Sequence, residues 1–148
     1  MKDMFSLEGT VSIVTGGNGG IGKGIADGLA MKGSTVVVAG RDEAKTAEAV
    51  EDIRTRFGVA CYGLALDVAD PESIRTGIGK IVADLGRIDV LVNNAGVNIR
   101  KVPQDYAVEE WDRIVDINLR GAFLCCQAAY PVMKRQGRGK IINTGSAT

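Results

Sequence analysis

The chain has 148 residues, 45% of them hydrophobic and 24% charged, the composition of one globular domain with a real core. Its 18 lysines and arginines balance 18 aspartates and glutamates, which excludes a general field for gathering nucleic acid or anionic membrane; any anion site must be local. Histidine is absent, which removes the commonest metal ligand and catalytic base, and no cysteine and carboxylate cluster replaces it, so no metal is expected.

Thr10 to Thr15 reads as the first strand, and "VTGGNGGIGKG", Val14 to Gly24, follows as a glycine-rich turn into a helix whose Ile21, Ile25 and Leu29 lie four apart. Thr35 to Ala39 is the second strand, and the spacer from Asp42 to Phe57 puts Val50, Ile53 and Phe57 on one helix face. Tyr62 to Leu66 is the third strand. Asp70 and Pro71 read as the N-cap and first position of a helix that shows Ile74, Ile78, Ile81 and Leu85 on one side. Ile88 to Asn93 is the fourth strand, and Lys140 to Asn143 the fifth. Several of these runs are apolar at consecutive positions, the mark of strands buried on both faces. Strand and helix alternate throughout, which predicts an α/β fold, a doubly wound parallel sheet in three layers with right-handed crossovers, over residues 1–148 as one unit.

Between the last two strands, Val108 to Gln136 reads as one long helix, apolar all round from Ala122 to Ala129. A helix lying on a sheet should keep a polar face. Two readings stand: an interface between copies of the chain, giving a homo-oligomer, or burial under further parts of the same protein. Lys134, Arg135, Arg138 and Lys140 read as a solvated helix end, where cations suit the dipole; without aromatic partners they do not point to nucleic acid. The three cysteines, Cys61, Cys125 and Cys126, form no spaced framework, which fits a cytoplasmic protein better than a secreted one. No stretch has the apolar length of a signal peptide or membrane span.

Gly16, Gly20 and Gly22 sit between the first strand and the first helix, where backbone amides and a helix N-terminus can receive a pyrophosphate. The spacing Thr15-Gly16-x-x-x-Gly20-x-Gly22 resembles that of the short-chain dehydrogenase/reductase family. Four more stretches carry the resemblance: "LDV" at Leu66 to Val68, "NNAG" at Asn93 to Gly96, "INLRG" around Asn118, and "IINTGS" ending at Ser146. The resemblance implies a Rossmann-type fold and hydride transfer between a nicotinamide cofactor and a small carbonyl or alcohol. It implies a cofactor site built from Gly16, Asn18, Gly19, Gly20, Ile21, Gly22, Val68, Asn94, Ala95 and Gly96, with Asp67 beside the adenine. It further implies that Asn118 supports a proton relay and that Ser146 binds the substrate oxygen.

At the end of the second strand, Gly40 stands where an acid would favour NAD, and Arg41 follows it, which points to NADP, with NAD as the alternative. No lysine or arginine stands in the loop just before Gly20 to add a second cation. Asp42 could also serve the ribose, and Arg41 could be merely solvated. Tyr130 and Lys134 have the spacing of the family's catalytic pair, but they precede Ser146, whereas the family's pair follows it; Pro131 also predicts a kink or end of the helix there. A strand left at an open sheet edge next to Thr148 leads us to expect a piece of a longer protein, with the catalytic tyrosine and lysine outside this chain. The stretch from Asn93 to Ala129 is similar to the subgroup acting on sugar acids, polyols and 3-oxo compounds, and Arg100 or Lys101 could hold a substrate carboxylate. The rival from another class is a dinucleotide-binding module without catalysis.

Overall fold

The computed structural model describes residues 3–146. Its strands are β1 (Val11–Thr15), β2 (Thr35–Gly40), β3 (Cys61–Ala65), β4 (Val90–Asn93) and β5 (Lys140–Asn143). They form one sheet in the order β3-β2-β1-β4-β5, every neighbouring pair parallel. The chain starts in the middle, runs to one edge and returns to the other, so the direction of winding reverses between β1 and β4. Ligands of such sheets bind outside the carboxyl ends of the strands at that reversal.

Alternate side chains of the central strands feed two separate cores, as a strand's period of two requires. Ile13, Val37 and Leu91 point to one face, where Ile74, Ile78 and Ile81 of α3 (Pro71–Leu85) meet Cys125, Ala129, Val132 and Met133 of a later helix. Val14, Val36, Val38 and Val92 point to the other, under α1 (Gly20–Met31) and α2 (Glu43–Phe57). This is the three-layer Rossmann-type arrangement that the consecutive apolar runs predict. The Asp70 carboxylate accepts from Glu72 N at 3.0 Å and Pro71 opens α3, as expected of that pair.

Two elements depart from the sequence reading. In α1 the buried stripe is Gly22, Ala26 and Ala30; Ile25 and Leu29 flank it, and Ile21 is 77% exposed. Small residues let this helix lie close on the sheet, and the larger ones are displaced to its sides. The long helix is continuous in backbone conformation from α4 (Val108–Val115) to α5 (Gly121–Gln136), with a π-helical turn at Asp116–Arg120 between them. Pro131 does not end it; α5 runs on to Gln136 and stops at Gly137 in the left-handed conformation, with φ 69°. The buried residues around the proline, Ala129, Val132 and Met133, hold the turn that lost a hydrogen bond.

The amino ends of β1 and β4 are joined by Asp89, whose side chain is 8% exposed. Its carboxylate accepts from Val11 N at 2.9 Å and from Arg87 Nε and Nη2 at 2.7 Å each. Burial pushes the carboxyl pKa up, but the hydrogen bonds from Arg87 and Val11 outweigh it and hold the group below its ordinary value. A depressed carboxyl stabilises the fold above its unfolded pKa, about 3.9, and that contribution is lost as pH falls through the lower folded value. Asp89→Asn is expected to cost about 1–3 kcal/mol at neutral pH. In urea denaturation, the gap between wild type and variant should shrink on acidification below about pH 4.

Candidate functional site

The site is built where β1 and β4 end side by side. Thr15 Oγ1 accepts from the main-chain N–H groups of Asn94 and Ala95, at 3.0 Å each, and donates to Val92 O at 3.3 Å. The Asn94 amide returns the grip by donating to Thr15 O at 3.2 Å and Gly16 O at 3.4 Å. Gly16 itself takes φ +64°, a left-handed conformation that suits glycine, and a Cβ on it would stand 3.1 Å from Ala95 Cα. At Gly22 the constraint is space: a Cβ there would lie 2.1 Å from Gly16 O and 2.4 Å from Asn94 Nδ2. The loop is therefore folded tightly over the start of α1. No side chain caps α1 at Gly19, and its first-turn N–H groups face the loop.

Beside this loop lies a cleft of about 260 Å³. Of the residues singled out in the sequence, Gly16, Asn18, Arg41, Asp67, Val68, Ala95 and Gly96 line it. Gly19, Gly20, Ile21 and Gly22 form the loop and first turn of α1 but do not line the cleft, and Asn94 lies beneath it as the clamp just described. The Asp67 carboxylate is oriented by Ala69 N at 2.9 Å, and its own N–H donates to Ser73 Oγ at 3.0 Å. Asn18 Nδ2 donates to Thr46 Oγ1 at 3.0 Å; a Cβ on Gly40 would fall 2.4 Å from that nitrogen. The Asn18 amide thus fills the space over Gly40. Asp42 is engaged as the N-cap of α2, accepting from Lys45 N at 3.0 Å. Arg41 is exposed and makes no ion pair among the described residues.

Thr15, Lys45, Val97 and Ile117 also line the cleft, and sequence reasoning gave them no role. Ile117 adjoins Asn118 in its motif, a signal that was available; Lys45 depends on how α2 packs, which no local pattern displays. Asn118 sits in the π turn, where its Oδ1 accepts from Val97 N at 2.8 Å and its Nδ2 donates to Val97 O at 2.9 Å. It fastens the long helix to the segment after β4. Ser146 follows β5, so the parallel sheet places it at the same edge as Gly16 and Arg41. Thr144 anchors that segment by donating its N–H to Asn93 O at 3.0 Å.

A second cavity is lined by Asn98, Ile99, Arg100, Lys101, Val102 and Tyr106. Lys101 is held by Glu110, Nζ to Oε1 at 2.6 Å, whereas Arg100 makes no ion pair among the described residues. Tyr130 is 57% exposed on α5 and neither it nor Lys134 lines a cavity described above. Burial pushes the Cys61 thiol up to about 11 and the Cys125 thiol up to about 12, so neither is a nucleophile near neutral pH. Among the described residues, no group of histidine, cysteine and carboxylate could hold a metal ion, and no helix is long and apolar enough to cross a membrane.

Comparison with known proteins gives one consistent result. The family described as short chain dehydrogenase matches residues 10–148. The 3-oxoacyl-acyl-carrier-protein reductase FabG of Aquifex aeolicus is 36% identical over 142 residues, 96% of this chain and 57% of the relative. The gluconate 5-dehydrogenase of Gluconobacter oxydans is 36% identical over 144 residues, 95% and 55%. The crystal structure of L-sorbose reductase from Gluconobacter frateurii, complexed with NADPH and L-sorbose, superposes with a TM-score of 0.92 at 31% identity, covering 97% of this chain and 54% of that one. The chain thus spans about half the length of the relatives it matches.

Two glycines of α1 should respond oppositely to the same change. Gly22→Ala drives a Cβ into Gly16 O and should cost about 1–3 kcal/mol of stability. Gly24 has nothing within 4 Å of its Cβ position, and Gly24→Ala should gain roughly 0.5–1 kcal/mol from helix propensity. Equilibrium urea unfolding of both variants reads the two signs.

Proposed function

This chain belongs to the short chain dehydrogenase family, and we propose that the protein carrying it transfers a hydride between NADP(H) and a carbonyl or secondary alcohol. The observation that carries the cofactor choice is the end of β2. Gly40 presents no carboxylate, Asn18 fills the space above it, and Arg41 enters the cleft without an acidic partner among the described residues. A guanidinium left unpaired there fits a 2′-phosphate, which an acid would repel. Asp42, the other candidate for the ribose, is engaged at the α2 cap.

In this reading the bound nicotinamide nucleotide supplies the hydride, and the substrate's carbonyl carbon takes it while its oxygen takes a proton. Gly16 and Asn18, with Gly19, Gly20, Ile21 and Gly22 at the start of α1, receive the phosphates on main-chain N–H groups. Asp67 accepts from the adenine amine, with Val68 against the ring, and Asn94, Ala95 and Gly96 let the main chain pass close to the ribose and nicotinamide. Ser146 donates to the substrate oxygen. Asn118, its side-chain amide taken up by Val97, acts through the π turn, where the altered helix spacing leaves a main-chain carbonyl able to accept from a water of the proton relay. No tyrosine among the described residues lines the cleft.

The relatives named for gluconate, L-sorbose and 3-oxoacyl-acyl-carrier-protein support a 3-oxo compound, polyol or sugar acid as substrate. Arg100, unpaired in the second cavity, is the candidate partner for a substrate carboxylate. We also propose a single dinucleotide-binding unit over residues 1–148, a cytoplasmic location, and a homo-oligomer. The exposed apolar side chains Trp111, Leu119, Phe123 and Tyr130 along α4, the π turn and α5 support a second copy as their cover.

The test is titration of the full-length protein with NADPH and NADH. NADPH is expected to bind at least about tenfold more tightly, and Arg41→Asp to reverse that order. Oxidation of NADPH should follow on addition of ketoses or 3-oxo acids. Equal affinities in the wild type, with little effect of Arg41→Asp, would instead mark an NAD enzyme.

A further inference from the structure

We propose that Lys45 supplies a second cation for the 2′-phosphate, reaching over Gly19 from α2 into the place where the glycine loop carries no lysine or arginine of its own. The proposal rests on the NADP reading above. A Cβ built on Gly19 would stand 2.7 Å from Lys45 Nζ and 3.0 Å from its Cε. The ammonium therefore occupies the volume that a side chain at position 19 would need. Gly19 has extended backbone, φ −174° and ψ 167°, which any residue can adopt. Conformation does not require glycine there; a side chain at position 19 would displace the end of Lys45 from this place.

Three further observations point the ammonium at an anion. Lys45 lines the same cleft as Arg41, so the two cations face one space. Its main-chain N–H is held by the Asp42 carboxylate at 3.0 Å, which fixes the first turn of α2 and so the position from which the side chain starts. Nothing among the described residues pairs with its ammonium, although it lies in the first turn of a helix, where the dipole disfavours a positive charge. A phosphate between the two side chains would take the planar fork of Arg41 on one side and the point charge of Lys45 on the other. The pyrophosphate is the competing anion, since it too lies by the loop.

Full-length wild type, Lys45→Ala, Lys45→Arg and the double variant Gly19→Arg with Lys45→Ala would be titrated with NADPH and with NADH. We expect Lys45→Ala to weaken NADPH roughly tenfold while NADH stays within about twofold, which also shows that the variant is folded. Lys45→Arg should retain the preference, and the double variant should restore it by placing the cation on the loop. An equal loss for both nucleotides would assign Lys45 to the pyrophosphate and overturn the proposal. An unchanged preference in Lys45→Ala would overturn it while leaving the NADP reading intact. A wild type without preference for NADPH would remove that reading and the proposal with it.

Discussion

The hydroxyl of Thr15 is the joint on which the site depends. It receives two main-chain N–H groups from the end of β4 and donates to a carbonyl of the same strand, so the last residue of β1 and the first residues after β4 are fixed to each other side by side. A parallel ladder cannot do this by itself, because its hydrogen bonds stop where the strands stop. Asn94 extends the joint one residue further, onto Gly16 O. The turn that follows is thereby held in one shape at the point where the winding of the sheet reverses, and Gly22 closes against the same carbonyl. Without that joint, the glycines would give the loop freedom and no defined concavity.

The joint also explains why the two halves of the motif set belong together. The glycine loop and the sequence Asn93 to Gly96 are nearly eighty residues apart in the chain, yet they form one object. Asn118 adds a third part. Its amide closes a two-way pair with Val97, so the segment leaving β4 is tied at one end to β1 and at the other to the long helix. The π turn gives the helix the local change of spacing that turns Asn118 toward that segment.

The strands could be read from the sequence because a strand buried on both faces needs apolar residues at consecutive positions, and Val36, Val37 and Val38 satisfy both cores at once. The cap at Asp70 and Pro71 could be read because it is local. The face of α1 could not. A periodic series at Ile21, Ile25 and Leu29 looks like a core stripe, but the helix lies too near the sheet for it, and alanine and glycine take the inner positions. Lys45 was invisible for a different reason. Its place over Gly19 follows from the packing of α2 against the sheet and from the lack of a side chain on the loop, two facts that no window of sequence contains together. The roles proposed for Asp67, Asn118 and Ser146 rest on the family resemblance, since neither periodicity nor composition could assign them.

The chain as a whole is electrically balanced, and its folding spends most of its charges on each other. Lys23 and Arg56 share Asp27 and Asp52 between α1 and α2, Arg87 and Arg138 meet Asp89, and Lys101 meets Glu110. Apart from the buried Asp89, such pairs at the surface contribute little to stability. Their consequence is electrostatic: a cation with a carboxylate beside it projects little field, so the positive potential that remains is set by the cations left over. Arg41 and Lys45 are left over on one cleft, and Arg100 on the neighbouring cavity. Arg113, Lys134, Arg135 and Lys140 are also without an ion pair among the described residues, but they line neither cavity. At the carboxyl edge of the sheet the loop, the helix N-terminus, Arg41 and Lys45 converge on one cleft, which gives a neutral protein a local place for an anion.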